Sequence, residues 1–183
     1  MEHSFPCGTL SLDFVGTLKA RRNITPRDVL TTPWSLDAWF EQSGLVDDGI
    51  ASRPADVDEA VHLREAIYSL VASRLHDEEY DEHALEVLNR TAEAPPVVPR
   101  LAASGRRTEA TPDQALSSVA RDAIEVLSGP DAALLKECGR PECTQVYLDR
   151  SRGGRREWCA METCGNKMKA AAYRARKKAE ALV

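Results

Sequence analysis

Four of the five cysteines in this 183-residue chain lie in its last 46 residues, in the order Cys138-x4-Cys143-x15-Cys159-x4-Cys164. Two close pairs about 15 residues apart have the layout of a structural zinc site. Each short loop offers two thiolates from one turn, and four thiolates complete a tetrahedron around the metal. The histidines, at positions 3, 62, 76 and 83, stand far from this run, which favours ligation by Cys138, Cys143, Cys159 and Cys164 alone. Two disulfides, or four reduced thiols, are the alternatives, although a secreted disulfide scaffold would spread its cysteines along the chain. An all-cysteine site is closed, so its zinc is structural.

After the fourth cysteine comes Gly165-Asn-Lys-Met-Lys-Ala-Ala-Ala-Tyr-Arg-Ala-Arg-Lys-Lys178, a run rich in good helix formers. A helix starting there sets its positive end beside an anionic thiolate cluster. It carries Lys167, Lys169, Arg174, Arg176, Lys177 and Lys178, and Arg150, Arg152, Arg155 and Arg156 cluster shortly before it. These ten cations suit phosphate contact with double-stranded DNA. A solvated basic face or an acidic protein partner is the alternative. The net charge of −5 conceals this segregation. Residues 138–183 hold 11 Lys and Arg against 5 Asp and Glu, a balance of +6, leaving 13 against 24, or −11, in residues 1–137. The acidic part could itself occupy the basic part and inhibit it.

Positioning these groups takes a hairpin and a helix. Residues 145–148 and 155–158 are expected to pair as strands around Gly153-Gly154. Upstream the chain reads as mostly α. Leu10, Phe14 and Leu18 share a helical face, and Thr32-Pro33 starts a helix through Leu36, Trp39 and Phe40 that ends before Gly44. The strongest periodicity runs over 56–76, with Val57, Val61, Ile67, Leu70, Val71 and Leu75 inward, Leu63 at the margin, and Asp56 and Glu59 at capping-box spacing. Another helix follows over 81–92, with Leu85 and Leu88 inward. A small hairpin is expected over 97–111 around Ser104-Gly105. Thr111-Pro112-Asp113-Gln114 opens a helix through Leu116, Val119, Ile124 and Leu127 to Ser128, stopped by Gly129, and a short helix over 131–136 leads to Cys138. The expected fold is mainly α with a small β-hairpin. A helical domain over 1–130, with a sensing or dimerising role, precedes a treble-clef-like four-cysteine finger over 131–183. The finger is expected to melt without zinc while the helical domain stays folded.

Within the helical part, Asp13 and Arg64 interrupt apolar stretches. They could form a polar site in a ligand pocket between helices; a salt bridge or a solvent-facing pair is the plainer reading. Trp34, Trp39 and Phe40 are expected in the core, and Cys7 as a small buried residue.

With 43% hydrophobic and 29% charged residues the chain can bury a core. No apolar run approaches the ~18 residues of a membrane span, and no basic segment precedes the short N-terminal apolar run. A cytoplasmic protein is therefore expected. No glycine-rich phosphate loop, G-x-G-x-x-G, G-x-S-x-G or H-E-x-x-H occurs, so no enzymatic activity is expected.

The C-terminal part resembles the CGNR zinc finger. The likeness rests on Cys164-Gly165-Asn166-Lys167, with lysine in place of the family's arginine, on 147–152, on 154–161 and on Tyr173-Arg-Ala-Arg-Lys-Lys178. The first 130 residues resemble the ABATE domain, on Leu12-Asp-Phe-Val-Gly-Thr17 and Leu63-Arg64-Glu65-Ala66, with Gly16 where that family has asparagine. The resemblance implies a bacterial, zinc-dependent, DNA-binding transcription regulator, stress-induced in some members, with an effector left unspecified. Lys167 acts as a point charge where arginine would fork two hydrogen bonds, which suits a phosphate better than a base edge. Gly165 is expected where backbone approaches sulfur, and Asn166 as a local brace. One finger reads few base pairs, which favours a homodimer. The alternative function is a protein-interaction module that does not touch DNA.

Overall fold

The computed structural model describes residues 2–180. Among these residues, six α-helices and three two-stranded antiparallel sheets give the mainly α architecture expected. Helix α1 (Leu10–Val15) starts where the Thr9 hydroxyl accepts the Leu12 N–H. It ends before Leu18, which belongs to strand β1 (Leu18–Lys19), paired with β2 (Arg27–Asp28). Helix α2 (Pro33–Gln42) opens on a capping box between Thr32 and Ser35 and buries Leu36, Trp39 and Phe40. Trp34 is 60% exposed, contrary to expectation. Five residues before Trp39, it lies about 140° around the helix from it.

Helix α3 (Pro54–His76) starts two residues earlier than expected. Asp56 is its third residue, and its carboxylate accepts the Arg53 N–H at 2.6 Å, so the pairing with Glu59 is not the cap. The buried face runs through Val57, Ala60, Leu63, Arg64, Ile67, Leu70 and Val71. Leu63 is in the core and Val61 only half-buried, the reverse of the expectation. Val57, Ile67, Leu70 and Val71 are buried as expected, and the face extends toward Leu63 because a small residue, Ala60, and a charged one, Arg64, also lie on it. Helix α4 (Glu82–Glu93) is capped by Asp81 and turns Ala84, Val87 and Leu88 inward, with Leu85 partly buried. Strands β3 (Arg100–Ala102) and β4 (Gly105–Arg107) form the expected hairpin. Helix α5 (Pro112–Ser128) has the expected Thr111–Gln114 capping box and ends at Gly129.

The short helix expected over 131–136 is a 3-10 turn (Pro130–Leu134) followed by strand β5 (Leu135–Glu137). β5 pairs with β6 (Val146–Leu148), Leu135 opposite Leu148 and Glu137 opposite Val146. Residues 145–148 thus supply a strand, but its partner lies before the first cysteine, and 155–158 is not a strand. The cause is Asp149, whose carboxylate accepts from the Ser151 N–H and hydroxyl, the Arg156 N–H and Lys136 Nζ, winding 149–156 into a compact loop. Helix α6 (Asn166–Glu180) closes the described chain.

Helix α3 packs against α4, α5, α1 and α2. The buried core runs without a break from Leu12, Phe14, Trp39, Ile67 and Leu116 to Val146, Tyr147, Leu148 and the finger cysteines. Residues 5–8 cross beside β6, where the Leu148 N–H donates to the Cys7 carbonyl at 2.9 Å. Among the described residues no helix is long and apolar enough to cross a membrane.

Candidate metal centre

Strand β5 delivers Cys138, and its N–H donates to the Gln145 carbonyl at 2.9 Å, closing the first knuckle on itself. Cys143 sits inside that knuckle, its N–H donating to the Arg140 carbonyl at 2.8 Å. Cys159 follows the Asp149 loop, and its N–H points at Cys138 Sγ at 3.5 Å. Cys164 lies in a π-turn (Met161–Gly165) that runs directly into α6. All four Sγ atoms lie within 4.8 Å of one another, and none forms a disulfide. The Cys143–Cys159 and Cys159–Cys164 separations are 3.8 and 3.6 Å. Zn–S bonds of about 2.3 Å in a tetrahedron require sulfurs about 3.8 Å apart, so the donor set fits zinc.

Electrostatics make the same point. The Cys143 thiol is lowered to about 5, chiefly by its hydrogen bond with the Cys159 thiol. That contact, with burial, drives Cys159 far above the usual thiol range, while burial first and then the Cys143 thiolate raise Cys164. Thiolates this close repel one another, and a divalent cation bound among them would offset that repulsion.

Gly165 lies against the flexible end of the Met161 side chain. A Cβ on Gly165 would stand 2.5 Å from Met161 Sδ and 3.2 Å from Trp158 Cδ1. The approaching sulfur is therefore the Met161 thioether and not a cysteine. Asn166 Nδ2 donates to the Glu162 carbonyl at 3.4 Å, bracing the turn locally.

The ten cations fall into two groups. Lys167, Lys169, Arg174, Arg176, Lys177 and Lys178 are exposed along α6, and Arg152 and Arg155 are exposed on the preceding loop. Arg150 is committed to Asp131 Oδ2 at 2.6 Å and to the Gly8 carbonyl at 3.1 Å. Arg156 lies over the Tyr147 ring at 4.3 Å and donates to the carbonyls of Trp158, Pro6 and Cys159. It belongs to the scaffold. Asp149, which organises this loop, was missed in the sequence; its signal was Asp149-x-Ser151-x-Gly153-Gly154, an Asx-turn pattern.

Asp13 and Arg64 are both buried but have different partners. Asp13 Oδ1 accepts the Cys7 N–H at 2.9 Å, while Arg64 forks onto Asp28 at 2.7 and 2.8 Å and reaches Glu65 at 2.8 Å. Burial first, then the nearby Asp122, raises Asp13 to about 6 against hydrogen bonds from Cys7. Two grooves, of about 270 and 440 Å³, share His62, Val87 and Arg90 along α3 and α4 and include neither residue, and Asp13 lines a cavity of only about 30 Å³.

Two family models match the chain. ABATE, described as "Putative stress-induced transcription regulator", matches residues 8–130. The CGNR zinc finger matches residues 135–177. No curated protein matches it.

Proposed function

We propose that this chain, which belongs to the ABATE family and carries a CGNR zinc finger, is a cytoplasmic transcription regulator that grips duplex DNA through its zinc-loaded finger. The helical unit over 8–130 is the regulatory part. The observation that supports this reading most is the state of α6. Its six cations stand in solvent, and among the described residues none makes an ion pair although the chain holds 29 acidic residues. The helix is about 22 Å long and joins the rest of the chain mainly through the turn bearing Cys164. Lys167, Arg174 and Lys178 line one flank and Lys169 and Arg176 the other, as a helix lying between two phosphate rows requires. Zinc, when bound, cross-links the two knuckles and so fixes the base of that helix.

The test is fluorescence anisotropy of the zinc-loaded protein on a random duplex pool at several salt concentrations. Binding should weaken steeply with salt, and Lys169→Gln with Arg176→Gln should make the log–log slope shallower by about 1.8, at roughly 0.9 per phosphate. Absence of salt-dependent binding by the zinc-loaded protein would discard the reading in favour of an acidic protein partner.

A further inference from the structure

We propose that the β1–β2 hairpin, in the otherwise acidic helical unit, is a second contact to the same duplex, with Lys19 and Arg27 on phosphates and Ile24 against the minor groove. The proposal rests on the reading that the finger binds DNA.

Residues 19–27 read Lys-Ala-Arg-Arg-Asn-Ile-Thr-Pro-Arg, four cations and no acid. The two outer cations face each other directly across the hairpin, Lys19 opposite Arg27. Both are exposed, and neither has an ion pair among the described residues. Like charges directly opposite across strands repel, and phosphates bound beside each of them offset the repulsion. The two inner cations have a different task. Arg22 forks onto Glu137 at 2.5 and 2.9 Å, the residue before Cys138. The Arg21 N–H donates to Thr144 Oγ1 at 3.2 Å, the residue after Cys143, while its guanidinium bonds Glu65 and lies 4.0 Å over the Tyr68 ring. The hairpin is thus fastened to both sides of the first knuckle, and the same four sulfurs hold the start of α6. Hairpin and basic helix are both attached to the cysteine knuckles.

At the far end of the loop Ile24 is 103% exposed, touching nothing that shields it. Ala20, in left-handed conformation with φ +55°, bends the chain into this loop. Cations flanking a projecting apolar tip match the way minor-groove proteins hold both phosphate rims and press an aliphatic wedge at a base step. The β3–β4 hairpin has a similar composition, with Arg100, Arg106, Arg107 and a 91% exposed Leu101. Its anchor is Asp47, which accepts the Thr108 N–H at 2.7 Å, and not the finger. It therefore serves as the control.

The experiment is the same salt titration on the full-length zinc-loaded protein, with duplex bending read by energy transfer between end labels. Lys19→Gln with Arg27→Gln should make the slope shallower by about 1.8, whereas Arg106→Gln with Arg107→Gln should leave it unchanged. Ile24→Ser should keep the slope but reduce the bend. Both pairs of substitutions are at exposed positions, and unchanged thermal melts confirm the fold. A wild-type slope for the Lys19/Arg27 variant beside a reduced slope for the α6 variant would overturn the proposal and leave the finger reading intact. Equal losses from both hairpins would overturn it as a general charge effect. An unchanged bend for Ile24→Ser would overturn the wedge, and no binding by the unmodified protein would overturn both readings.

Discussion

Arg156 directs its whole guanidinium at protein carbonyls, of Trp158 at 2.9 Å, Pro6 at 2.8 Å, Leu148 at 3.5 Å and Cys159, beneath the Tyr147 ring. Lysine keeps the charge but cannot fork, so Arg156→Lys should lower stability by about 1–3 kcal/mol in urea titrations. The salt slope of DNA binding should not change; a shallower slope would return Arg156 to the DNA surface. Asp13 makes a prediction in pH. Its carboxyl titrates at about 6 in the folded chain against 3.8 ordinarily, because burial disfavours the charge. The folded state thus keeps a proton that the unfolded state releases between about pH 4 and 6, and stability falls across that window as pH rises. The full shift corresponds to at most about 3 kcal/mol. Asp28 acts in the opposite sense. Its pairing with Arg64 holds it below the usual range against burial, so its contribution is lost on acidification. Asp13→Asn retains an acceptor for Cys7 and removes the charge. Its advantage over the unmodified chain should grow from pH 4 to pH 7, and a constant difference in denaturation midpoints would refute the assignment.

At the scale of elements, the joint between α1 and the finger turns on Gly16. A Cβ there would lie 1.7 Å from Gln145 Nε2, which donates to Cys7 Sγ at 2.8 Å. The ABATE resemblance places asparagine at this position; here an amide reaches the joint from the finger, and glycine makes room for it. Gly16→Ala should displace Gln145 and cost about 1–2 kcal/mol. In a Gln145→Ala background the same change should cost much less, and additive losses in that double-mutant cycle would show the contact to be immaterial. The helix starts, by contrast, depend on neighbours alone. Thr32 with Ser35 and Thr111 with Gln114 satisfy their own first-turn donors, whatever the rest of the chain does.

At the scale of the whole molecule, one buried core includes both α3 and three of the four finger cysteines, and residues 5–8 cross from the helical unit onto β6. Loss of the metal should therefore reach the helices. Chelation, or Cys159→Ser, should lower the midpoint of the main helical transition in circular dichroism and speed reaction of the buried Cys7 with a thiol reagent. A helical transition unmoved by chelation would show the finger to be an independent unit, as the sequence alone led one to expect.

The two cysteine pairs, the basic helix and the capped starts of α2 and α5 were legible in the sequence, because each is written in residues a few positions apart. The sequence also carried the ABATE and CGNR resemblance. Which strand pairs with 146–148 depended on long-range contacts, since Asp149 folds the intervening loop and leaves β5 as the available edge. The tertiary structure also separated Arg156, held by carbonyls from as far away as Pro6, from the cations left in solvent. It paired Arg64 with Asp28 rather than Asp13, and turned Trp34 outward and Leu63 inward. Local spacing fixes what a segment is; partners distant in sequence fix what its side chains face.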